Sequence, residues 1–140
     1  MAYTFIISDE SVNADGFVIQ TKGIRTERFK KDPVMLYMHA REKGVIGRWD
    51  NIRTEGSQLI ADAVFDENNP LGKEVKERVD GGFLRSASIG LSVLNYERID
   101  DVDTVTDCEL TEVSIVDIPS NRNAVKLFDK RGLIVLSLKE

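Results

Sequence analysis

Alternation with a period of two constrains this chain more than any other feature. In residues 83–94 (FLRSASIGLSVL) one parity carries Phe83, Arg85, Ala87, Ile89, Leu91 and Val93. The other carries Leu84, Ser86, Ser88, Gly90, Ser92 and Leu94. Successive side chains of a strand point to opposite faces, so the first set reads as a core face. The second set has small hydroxylated residues around one glycine at its middle. Such a face contributes little packing, so it either meets a partner that needs room or lies open. Two readings follow: Ser88 is a nucleophile on an open strand, with Ser86 as its nearest rival, or the strand is half-solvated and merely serine-rich.

The rest of the chain is strand-rich as well. Residues 3–8 and 17–21 are β-branched and aromatic, and the turn Asn13-Ala14-Asp15-Gly16 separates them. Residues 34–39 (VMLYMH) form a nearly continuous apolar run ending in the single histidine, His39, which should reach an edge or mouth. Residues 45–53 read as a strand in which Gly47 marks a bulge or a close approach. Leu59, Ala61, Ala63 and Phe65 give the next strand a core face. Residues 104–118 form a long strand candidate, with Leu110, Glu112, Ser114 and Val116 on its more apolar parity. Asp107 and Glu109 fall on the wetter one. A last strand is expected over residues 133–138.

Helical patterns are few. Thr26 can cap a short segment that must stop before Asp32, because Pro33 disfavours helical geometry there. The clearest helix spans residues 69–80, with Asn69 as N-cap, Pro70 at the first position and an apolar stripe of Leu71, Val75 and Val79. Gly81 and Gly82 end it. Residues 121–130 read as a short helix with Ala124, Leu127 and Phe128 inward. Many strands with few helices predict a mainly β (α+β) fold, a barrel or a sandwich.

Charge and composition remove several functions. The net charge of −5 has no basic block to offset it, which disfavours nucleic acid and anionic membranes as partners. No apolar run approaches the ~20 residues that span a bilayer, and the first residues lack the basic start of a signal peptide. One histidine and one cysteine cannot supply an ordinary zinc site. Asp100, Asp101 and Asp103 read as a solvated turn rather than a cation site. No glycine loop suits a phosphate, and no cofactor is expected. Cys108 lies between Asp107 and Glu109, which should raise its pKa and make it inert.

Serine hydrolysis remains. It needs a hydroxyl, a base within reach and usually a group that orients the base. His39 is the only imidazole available. Glu112 is a carboxylate on a mostly apolar parity and calls for a partner, which His39 would supply and which Arg48 or Arg122 could supply instead.

Taken in order, DPVMLYMH, RSASIGLSV and ELTEVSIVDIPSNRNA resemble the prohead (capsid maturation) serine proteases of tailed phages, which are related to the herpesvirus assembly proteases. The resemblance runs over residues 16–124 and includes VIGRWDNI after the histidine, although Leu91 stands where an aromatic is commoner. It implies one protease domain over residues 1–140, folded as a closed β-barrel flanked by a few helices. It further implies that His39 is the general base, Ser88 the nucleophile and Glu112 the third member, with Ser86 and Asp117 as rivals. A backbone N–H or Arg122 near Asn121 would meet the oxyanion. The job implied is cleavage of scaffold and of a removable capsid-protein segment, then of the enzyme itself. That work takes place inside the immature capsid in the host cytoplasm. A homo-oligomer is expected. The alternative is a β-barrel assembly or binding module that kept the fold without the activity.

Overall fold

The structure is a computed structural model and describes residues 3–127. Its strands are β1 (Tyr3–Ser8), β2 (Phe17–Ile19), β3 (Ile24–Arg25), β4 (Val34–Tyr37), β5 (Gly47–Glu55), β6 (Gln58–Phe65), β7 (Ser86–Ile99) and β8 (Val102–Val116). Two α-helices accompany them, α1 (Glu27–Lys31) and α2 (Pro70–Asp80). Among the described residues neither is long and apolar enough to cross a membrane.

The strands form one sheet in the order β1-β6-β5-β4-β8, and β7 pairs antiparallel with β8. The other edge of β8 is taken in turn by β2, β3 and β4, all parallel to it. The sheet curls until β1 and β7 nearly meet, and residues 124–127 fill the gap. Ile6 N–H donates to the Val125 carbonyl at 3.0 Å, while Ala87 N–H donates to that of Ala124 at 2.9 Å. This nearly closed barrel agrees with the β-barrel expectation.

The segment at the closure departs from the helix expected over 121–130. Its described part, residues 121–127, is a turn followed by bridges to Phe5 and Ser86. The Asn121 side chain accepts from the Asn123 N–H at 2.9 Å, a local bond that competes with helix. The gap between two strands then offers the backbone better partners than a helix would. The strand expected over 133–138 lies outside the described residues.

Inside the barrel, Trp49 is fully buried, packs edge-on against Phe5 at 5.5 Å and donates its ring N–H to the Val113 carbonyl at 3.1 Å. The ring is therefore both core and anchor for β8. Truncating a buried aromatic of this kind to alanine costs about 3–5 kcal/mol. Gly47 is a close approach: a Cβ there would stand 2.3 Å from the Val64 carbonyl oxygen. The expected helix appears as α2. Asn69 caps it by accepting from the N–H groups of Leu71 and Gly72, and Val75 and Val79 are buried against the barrel.

Two patterns differ from simple alternation. The strand containing the serines starts at Ser86, so Phe83 belongs to the connection and is exposed, while Leu84 is buried. At its other end β7 runs on to Ile99. It turns into β8 through Asp100 and Asp101, both left-handed at φ 52° and 65°, as a two-residue hairpin requires. In β8, Leu110 pairs with Leu91 and Glu112 with Gly90, which leaves Thr111 as a bulge. The core side chains before the bulge are Cys108 and Leu110, and after it Val113 and Ile115. One extra residue thus changes which parity faces inward. Glu112 and Ser114 leave the core face on which alternation had put Glu112.

Asp9, just after β1, ties this end of the barrel together. Its carboxylate accepts from the Ser11 N–H and hydroxyl at 3.0 and 2.7 Å, and from the side-chain amides of Asn121 and Asn123 at 2.9 and 2.8 Å. Partial burial pushes its pKa up, but the donors from Ser11, Asn121 and Asn123 outweigh burial and hold it below the usual carboxylate range. A depressed folded pKa adds stability above the unfolded value of about 4, and that stability is lost as pH falls through the folded pKa. Asp9→Asn should therefore melt lower than the wild type at pH 7. The gap should narrow as thermal scans move below about pH 4.

Candidate active site

The residues that carry chemistry meet where β4, β7 and β8 lie side by side. Leu36 of β4 and Ser88 of β7 both pair with Ser114, one on each side of β8. Gly90 pairs with Glu112 two residues further along. Cross-strand pairs share a sheet face, so Ser88, Gly90, Glu112 and Ser114 stand together. The small, hydroxylated parity read from the sequence is this face.

His39 comes to it by leaving β4. After Tyr37 the chain turns sharply through Met38 and His39, both left-handed at φ 56° and 58°. That conformation is uncommon for residues with side chains and needs outside support. Met38 N–H donates to the Ile115 carbonyl at 3.0 Å, and His39 N–H to the Ser114 hydroxyl at 3.0 Å. The imidazole Nδ1 is hydrogen-bonded to Glu112 Oε2. The other oxygen of the same carboxylate, Oε1, accepts from the Ser114 hydroxyl at 2.9 Å. The histidine side chain is 40% exposed and the glutamate 18%, so the imidazole meets solvent while its carboxylate is shielded.

Gly90 makes this arrangement sterically possible. A Cβ on Gly90 would sit 2.6 Å from Glu112 Oε2 and 3.0 Å from its Cγ. The glycine makes room for the carboxylate.

Ser88 and His39 line one cleft of about 330 Å³, walled by Phe17 and Ile19 from β2 and by Leu91 from β7. Ser120 and Asn121 edge it, Asn121 being held by the Asp9 network. The Ser88 hydroxyl and the imidazole share the cleft without being hydrogen-bonded to each other.

Other sequence candidates lie elsewhere. Ser86 is buried opposite Val116, bridged to Val125, and does not line the cleft. Asp117 is exposed past the end of β8, where its carboxylate accepts from the Ile118 N–H at 2.7 Å. Arg122 is exposed and not on the cleft, and Arg48 pairs with Asp50, so neither takes up Glu112. Burial, with Asp107 beside it, pushes the Cys108 thiol up to about 11. A thiol with that pKa is almost wholly protonated near neutrality.

The sequence reading passed over Ser114. Its signal was its position two residues after Glu112 on the same parity, which puts both side chains on one face.

A family model described as caudovirus prohead serine protease matches residues 4–133, nearly the whole chain. The chain belongs to that family. No curated protein matches the sequence. The prohead protease family makes this a serine peptidase of phage maturation, and the cleft holding Ser88 and His39 is the natural place to look for its chemistry.

The position of Gly90 gives a direct check on the geometry. Gly90→Ala should force the Glu112 carboxylate away from the imidazole. The downfield Nδ1–H proton resonance of the lone histidine should be lost, while the dispersion of the amide spectrum stays that of a folded barrel.

Proposed function

We propose that the chain is a single-domain serine endopeptidase in which Ser88 is the nucleophile, His39 the general base and Glu112 the group that orients the base. The observation that carries this reading is that the only imidazole holds Glu112 through Nδ1 while sharing a cleft with Ser88. With Nδ1–H donated to the carboxylate, Nε2 is left bare and basic.

The steps follow from that tautomer. A peptide lies in the cleft, and His39 Nε2 removes the hydroxyl proton as Ser88 Oγ adds to the scissile carbonyl carbon. A backbone N–H of the loop around Ser120 and Asn121 meets the developing oxyanion. The imidazolium then gives its proton to the amine nitrogen as the C–N bond breaks. Water adds to the Ser88 ester with Nε2 taking its proton, and that proton returns to Oγ as the carboxylic acid leaves. The glutamate stays ionised throughout and stabilises the imidazolium.

The substrates in this reading are scaffold protein and a removable segment of the capsid protein, followed by the enzyme's own chain. The site of action is the immature capsid in the host cytoplasm, where the enzyme works as a homo-oligomer. The family supports the setting; these substrates and self-cleavage are our extension of it.

Ser88→Ala should lower cleavage of co-assembled capsid protein by about 10⁴- to 10⁶-fold, and His39→Ala by a similar order. Glu112→Gln should cost less than His39→Ala, because the imidazole remains. Gel analysis of proheads assembled with each variant reads this out. Full activity in Ser88→Ala, with loss in Ser86→Ala, would move the nucleophile to Ser86.

A further inference from the structure

Ser114 is fully buried, yet its hydroxyl touches both halves of the base assembly. It donates its only proton to Glu112 Oε1 and accepts the backbone N–H of His39. One oxygen therefore fixes the carboxylate and the left-handed turn that presents the imidazole. The position on β8 allows this, since Ser114 lies between Leu36 of β4 and Ser88 of β7. With Oε1 occupied by the hydroxyl, Oε2 is directed at Nδ1.

A residue without a hydroxyl at 114 would undo two things together. Glu112 would lose its second donor and be free to rotate. The His39 N–H would lose its acceptor in a turn that few residues with side chains adopt unaided. The imidazole could then bind its proton on either nitrogen.

We propose that Ser114 is a positioning residue that sets the tautomer of His39 through Glu112 and through the His39 backbone. It acts on the base and does not touch substrate. The inference rests on the reading of Ser88, His39 and Glu112 given above. Outer partners of this kind are worth about 10- to 100-fold where they orient a histidine in metal sites.

The test compares Ser114→Thr with Ser114→Val, two variants of the same shape that differ in the hydroxyl. His39 is the only histidine, so ¹⁵N labelling gives one pair of ring-nitrogen signals to follow. At a pH where the ring is neutral, wild type and Ser114→Thr should show Nδ1 protonated and Nε2 bare. Ser114→Val should show a mixture of tautomers, with kcat lower by about 10- to 100-fold and KM within about twofold. An unchanged tautomer and an unchanged kcat in Ser114→Val would overturn the proposal, as would equal losses in the Thr and Val variants. Failure of the underlying reading looks different: cleavage would survive in Ser88→Ala whatever the tautomer does in the 114 variants.

Discussion

The site depends on β8 being hydrogen-bonded along both edges. One edge carries β7 and the other carries β2, β3 and β4 in succession. A strand held on both sides has little freedom to slide, because a one-residue slip would turn its whole core face to solvent. Glu112 lies on this strand, and Ser88 and the end of β4 that releases His39 are placed by pairing with it. Their relative positions are set by backbone ladders, which are stiffer than loops. Trp49 adds an anchor from the interior by donating to the Val113 carbonyl between Glu112 and Ser114.

The bulge at Thr111 resolves a conflict within β8. Strict alternation from Cys108 and Leu110 would send Glu112 and Ser114 into the hydrophobic core. A carboxylate there would be costly to desolvate without a partner. One unpaired residue puts Val113 and Ile115 into the core instead and leaves Glu112 on the face it shares with Ser88 and Gly90. There the carboxylate meets the imidazole and the Ser114 hydroxyl. The same face explains why Ser88 and Gly90 are small. Gly90 makes room for the Glu112 carboxylate beside the imidazole, and Ser88 keeps the sheet low along the cleft.

Much of this was legible in the sequence. The closed barrel was implied by the family resemblance, while the mainly β fold, the helix capped by Asn69, the inert Cys108 and the serine face came from periodicity and local chemistry. Their outcomes depend on neighbours a few residues away. What stayed hidden depended on distant pairing. The Thr111 bulge is not written in the residues around it and appears only when β8 must match β7. The closure by residues 124–127 exists because β1 and β7 leave a gap, so a helical pattern over 121–130 misled. Ser114 was overlooked because a buried serine beside a glutamate has no meaning until the turn at His39 supplies the second partner. Phe83 shows the reverse error: its alternation continued past the point where the strand begins.

The account as a whole stands on Ser88 being made nucleophilic by His39, and covalent trapping tests that most directly. Proheads holding the active enzyme would be treated with a serine-directed fluorophosphonate and the modified residue mapped by mass spectrometry. The account requires a phosphonyl adduct on Ser88 in the wild type and none in His39→Ala. An adduct on Ser86, or cleavage-competent protein that carries no adduct on either serine, would contradict it.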